Sequence, residues 1–115
     1  MLNLSDFHRM ALAGKTNGIQ IVKAVDMVNT AHQALLDYGK YRVMACLPID
    51  LYTKVRKQEL LVRERLNTAL SAGDKDTKPV KEFVKSAMSL CKGYELVIKT
   101  AKDRGLHQLD IDFFC

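Results

Sequence analysis

The 115-residue sequence holds no tryptophan, two prolines and six glycines. So few chain-breaking residues leave little room for a long structureless linker, and the length fits one domain. Its three cysteines, Cys46, Cys91 and Cys115, are odd in number and far apart. No Cys-x-x-Cys occurs, so neither a disulfide framework nor a structural zinc site is expected. Cys46 and Cys91 sit in apolar runs and read as small core residues, and Cys115 as an exposed thiol, which fits a reducing compartment. No run approaches the roughly 18 apolar residues of a membrane span. The opening MLNLSDFHRMALAG carries Asp6 and lacks a basic stretch followed by a long apolar one, so no secretory leader is expected. A cytoplasmic protein is the expectation. There is no internal repeat and no low-complexity segment.

Catalytic patterns are also missing. Ala13-Gly14-Lys15-Thr16 echoes the end of a phosphate-binding loop, but Arg9 stands where that loop needs its first glycine. Without that glycine-rich turn the backbone amides cannot wrap a phosphate. His8, His32 and His107 are not paired at ligand spacing, and His32 falls on an apolar stripe. His107 with Asp110, or Asp110 with Asp112, lacks a rigid frame on which to hold a cation. No nucleophile is matched with a base and an orienting group. The chain is therefore expected to be neither an enzyme nor a binder of cofactor or metal.

What is present is helical patterning. Ser5 can cap a short helix ending at Gly14, with Lys15–Gly18 as a turn. Residues 19–38 carry Ile21, Val25, Val28, His32 and Leu35 on one stripe, broken by Gly39. YRVMACL, before Pro48, reads equally as helix or buried strand. Asp50 opens a helix to about Ala72, with Leu51, Val55, Val62, Leu66 and Ala69 on one face and Leu60 nearly opposite. Gly73–Asp76 is a turn. Thr77 can cap the last helix, with Pro79 in its first turn. Val80, Phe83, Val84, Ala87, Cys91, Tyr94, Ile98 and Ala101 form its apolar face, and Gly93 weakens it somewhat. Gly105 is a natural stop. The fold class expected is all-α: a small bundle of three to five helices over 1–105, with an extended C-terminal tail, 106–115. Turns this short favour antiparallel neighbours. The alternative is α+β, with strands at Ile19–Val22, before Pro48 and in the tail.

The net charge is +5, and with Asp110 and Asp112 set aside the rest of the chain stands at about +7. Lys78, Lys81, Lys85, Lys92 and Lys99 fall within about 60° of one another at 100° per residue. This row, expected beside the apolar face, can follow a phosphate backbone of DNA or RNA, each lysine releasing counterions. The bland reading is that such lysines merely border a core, stems covering apolar surface and heads in water. Asp103 shares the row's far end, and no aromatic residue interleaves it, so base stacking is not expected.

The tail reads HQLDIDFFC over residues 107–115. In an extended chain Leu109, Ile111 and Phe113 share one face, and Asp110 and Asp112 the other. That is the pattern of a strand-like ligand for a groove. Gln108-Leu109-Asp110-Ile111-Asp112-Phe113 resembles the peptide motif by which bacterial replication and repair proteins dock on the sliding clamp. The resemblance covers these six residues. It implies Gln108 as a polar anchor and Leu109, Ile111 and Phe113 as pocket residues, with Phe114 adjoining and Ile111 where leucine is commoner. The other reading is that Leu109, Ile111, Phe113 and Phe114 cap the chain's own core or pair with a second copy in a homodimer.

Together these features suggest a non-enzymatic helical adaptor or inhibitor that docks a protein partner, such as a sliding clamp, through its tail. The alternative is a small basic nucleic-acid-binding regulator whose tail caps its own core or a dimer interface. Small size without enzymatic motifs suits a phage or mobile-element protein.

Overall fold

A computed structural model describes residues 2–39, 47–72 and 76–103. Four helices account for most of them: α1 (Asp6–Leu12), α2 (Thr16–Asp37), α3 (Ile49–Ala72) and α4 (Lys78–Asp103). The described residues contain no strand. Ile19–Val22, considered above as a strand, lies inside α2. The other two strand candidates, before Pro48 and in the tail, fall almost wholly outside the described residues, as do Cys46, Gly105 and Cys115.

The helix ends follow local chemistry. Ser5 caps α1, its hydroxyl accepting from the His8 amide at 3.2 Å, which satisfies one of the amides left over at a helix start. Gly14, at φ +77°, and Gly39, at φ +96°, reverse the chain after α1 and α2 in a conformation costly for any residue with a Cβ. α2 starts three residues earlier than its apolar stripe suggests, so the expected turn at Lys15–Gly18 is only partly a turn. Thr16, Asn17 and Gly18 are its first residues, and the Ile19 amide already bonds the Lys15 carbonyl at 2.9 Å. Gly18 is buried there because α1 folds onto it, and a Cβ would collide with the Leu12 carbonyl. At the start of α4 the side-chain cap comes from Asp76, whose carboxylate accepts from the Lys78 amide at 3.0 Å. Thr77, the expected cap, contributes its backbone carbonyl to the Lys81 amide.

α4 is the middle element. α2 packs along one flank and α3 along the other, while α2 and α3 barely touch. Its buried residues explain the position. Ten of them, from Val80 to Ala101, cover an arc of about 160° at 100° per residue. That is wide enough for two neighbours, where α2 and α3 each bury a narrower stripe. Chain neighbours α2 and α3 run antiparallel, as do α3 and α4, so α2 and α4 run parallel. Consistently, Asn17 at the start of α2 reaches the Asp76 carbonyl beside the start of α4 (3.5 Å). At the other end, the Lys102 ammonium lies 5.9 Å from the Tyr38 ring centre.

The core holds Ile21, Val25, Val28 and Leu35 of α2, Val55, Val62 and Leu66 of α3, and Phe83, Leu90, Tyr94 and Val97 of α4. Each such aliphatic or aromatic side chain taken fully out of water contributes about 1.5–3 kcal/mol. Leu2 and Leu4 extend the core ahead of α1. Asn29 of α2 pins that lead, accepting from the Leu2 amide and donating to the Leu2 carbonyl, both at 2.9 Å. No described helix is long and apolar enough to cross a membrane.

Candidate functional site

The five lysines of the row all reach solvent from α4. Their placement differs from the expected one beside the apolar face. The buried arc of α4 is wider than the sequence stripe, taking in Ser86, Leu90, Gly93 and Val97 as well. Its centre falls on the Phe83–Tyr94 side, so Lys78, Lys81, Lys85, Lys92 and Lys99 stand almost diametrically opposite. Because α4 is flanked on both sides, this outward face is the crest of one broad surface of the molecule. From Lys78 to Lys99 it runs about 31 Å, at 1.5 Å per residue. That is close to one turn of a B-form duplex, about 34 Å.

Among the described residues none of the five lysines makes an ion pair, whereas Arg9 pairs with Asp26 and Arg56 with Glu59. Arg65 of α3 borders the depression beside Lys85, and Lys23 of α2 the one beside Met88. Both widen the positive surface, and neither was apparent from the row alone. Asp103 shares the row's end, and Glu82 and Glu95 are also exposed on α4.

Between α2 and α4, on the same side as the crest, runs a groove. Its wider part is lined by Met27, Ala31, Ala34, Cys91, Tyr94 and Ile98, with Lys23, Asp26 and Glu95 at its edge. Farther toward the start of both helices it continues over Ala24, Met27, Val84 and Met88, edged by Lys23, Lys81, Lys85 and Lys92. No carboxylate lines this second part. Met27 and Met88 are 38% and 49% exposed, an unbranched and adaptable apolar floor open to solvent. Burial, and secondarily Glu95, push the Cys91 thiol above its ordinary range, so the group there is neutral.

The α3–α4 seam is built differently. Glu59 is 2% exposed, and its carboxylate accepts from the Tyr94 hydroxyl at 2.6 Å and from Arg56 at 2.8 Å. Tyr94 is fully buried, its ring centre 5.6 Å from that of His32. Burial, then the bond to Glu59, raise the Tyr94 phenol above its ordinary range. Gly93 lets α3 approach, since a Cβ there would lie 2.5 Å from the Gln58 amide oxygen. That oxygen is buried without a hydrogen-bond partner. The network was not legible in the sequence, where Glu59 is one charge among many on α3. The residues expected to bind a protein partner, Gln108, Leu109, Ile111, Phe113 and Phe114, lie outside the described residues.

Compared with family models, curated proteins and solved structures, the chain matches none of them.

Proposed function

We propose that this chain is a non-enzymatic helical module that rests on a nucleic-acid backbone through the outward face of α4. The observation that supports it is the crest itself: five exposed lysines on one line, without ion pairs among the described residues and flanked by Lys23 and Arg65. Lysines that merely bordered a core would lie at the margin of the buried arc, with their stems against apolar neighbours. A straight basic helix face without interleaved aromatics suits phosphate contact and not base reading.

The test is a salt titration of the 115-residue chain on a labelled duplex. Contact by all five lysines gives a slope of log affinity against log salt of roughly −4 to −5. Lys81→Gln/Lys85→Gln/Lys92→Gln is expected to flatten that slope by about 2 to 3. A slope unchanged by the triple substitution would remove the α4 face from the interface.

A second component rests on the sequence of residues 108–113. Their likeness to clamp-docking peptides supports a protein partner, a replication clamp, that would hold the module near DNA. Titrating a labelled 104–115 peptide into a bacterial sliding clamp, beside a Gln108→Ala/Phe113→Ala control, tests it. Saturable binding by the first peptide alone is the expected result. Equal binding, or none, ends the clamp reading and leaves the basic face standing.

A further inference from the structure

The α2–α4 groove and the segment after α4 have matching chemistry. The groove offers an apolar floor, Ala31, Cys91 and Ile98 and then Met27, Met88 and Val84. Its second part is edged by Lys23, Lys81, Lys85 and Lys92, with Gln20 and Ser89, and by no carboxylate. The segment offers Leu109, Ile111 and Phe113 alternating with Asp110 and Asp112. We propose that residues 109–113 dock in extended form into this groove of the same molecule, running back along α4.

The reach and the register both fit. α4 ends at Asp103, and Gly105 follows at once with the backbone freedom a reversal needs. An extended chain advances about 3.3 Å per residue and a helix about 1.5 Å, so each docked residue passes about two residues of α4. With two residues spent on the reversal, Leu109 comes level with about residue 94, Ile111 with about 90 and Phe113 with about 85. Leu109 then enters the wider depression by Cys91 and Ile98, and Ile111 and Phe113 lie over Met27, Met88 and Val84. On the same ruler Asp110 comes level with about Lys92, and Asp112 with about Met88, between Lys85 and Lys92. The wider part of the groove carries Lys23 at its edge as well as Asp26 and Glu95. Lysines standing along one crest repel each other, and two carboxylates placed beside Lys85 and Lys92 relieve that. The docked segment would withhold Leu109, Ile111 and Phe113 from any outside partner and partly neutralise the crest. It would act as an internal competitor for both.

Methionine-methyl NMR of the 115-residue chain tests this without assuming nucleic-acid or clamp binding. Met27 and Met88 line the groove, and Met10 on α1 is an exposed internal control. Leu109→Ser/Ile111→Ser/Phe113→Ser is expected to shift the Met27 and Met88 methyl resonances and leave Met10 in place. The shifts should be the same across a hundredfold range of protein concentration. Unmoved Met27 and Met88 resonances overturn the proposal. A response that disappears on dilution also overturns it, because a second copy then fills the groove. Should the serine variant unfold, Asp110→Lys/Asp112→Lys keeps the apolar side chains and sets like charges against Lys85 and Lys92. A Met88 shift of that variant from the wild type, diminished at high salt, supports docking; no Met88 response overturns it.

Discussion

The two flanks of α4 are built by opposite means. Against α3 the seam is closed and polar at its centre, with Tyr94 bonded to Glu59, Glu59 to Arg56, and Gly93 drawn against Gln58. Against α2 the buried layer is mainly apolar, with the His32 ring beside Tyr94 and Asn17 at its start, and above it the seam opens into a groove floored by methionine, alanine and Cys91. Directional bonds fix one relative position of two helices, because a one-turn slip would leave a buried carboxylate and a phenol unmatched. Apolar layers tolerate small adjustments. α4 is thus held in register by one neighbour, and its other side is left shaped for an additional segment. A small domain can keep a defined structure and still present an adaptable apolar surface by assigning the two tasks to different seams.

Breaking the closed seam should have the largest effect. Tyr94→Ala removes a fully buried ring and its bond to Glu59, and should cost about 3–5 kcal/mol in urea denaturation. That is a large part of the roughly 5–15 kcal/mol expected for a domain. A loss below 1 kcal/mol would show that the seam is not closed as described.

Tyr94→Phe sharpens the comparison. The ring stays and the hydroxyl goes, which takes one donor from a buried carboxylate, at about 1–3 kcal/mol near neutral pH. The alkaline limb should change as well. The folded-state pKa of Tyr94 is raised above its unfolded value near 10, so its contribution is fully present below that pH and is lost as pH rises beyond it. Removing the phenol should flatten the decline of stability above pH 10 by up to one proton, about 1.4 kcal/mol per pH unit. Equal alkaline slopes in the two proteins would place the phenol in water.

The smallest effect belongs to Gly93→Ala. The added methyl meets the end of a flexible Gln58 side chain, and alanine favours the helix by up to about 1 kcal/mol. The two should nearly cancel in the wild type. In a Gln58→Ala background the clash is gone, and Gly93→Ala should raise stability by about 0.5–1 kcal/mol. Identical effects in both backgrounds would mean that Gln58 does not occupy the space beside Gly93.

Much of the architecture was written in local pattern. The stripe through Val25 and Val28, that through Val55 and Val62, and the glycine after Tyr38 locate α2, its end and α3 from residues a few places apart. Leu60, placed opposite the core from spacing alone, is 59% exposed. What stayed illegible depends on distant partners. Glu59 is buried because Tyr94, 35 residues on, supplies a donor. The lysine row moved from the margin of the apolar face to its opposite because Leu90, Gly93 and Val97 are covered by a second neighbour that the helix's own period does not announce. The groove escaped notice because Met27 and Met88 belong to different helices and read separately as ordinary surface residues. Of the two site readings, the lysines can be placed, while the clamp-like motif lies beyond Asp103, outside the described residues.

The central place of α4 has a consequence for how the protein is made. A ribosome delivers α2 and α3 first, yet these two helices barely touch. Until α4 emerges, their apolar stripes have no surface to close on, and every seam of the core between the long helices awaits it. The nascent chain is then expected to remain uncommitted until α4 has emerged and to condense in one step, since domains generally fold as units. A message truncated within α4 would yield neither half a domain nor a stable intermediate, but a chain fit for chaperones and proteases.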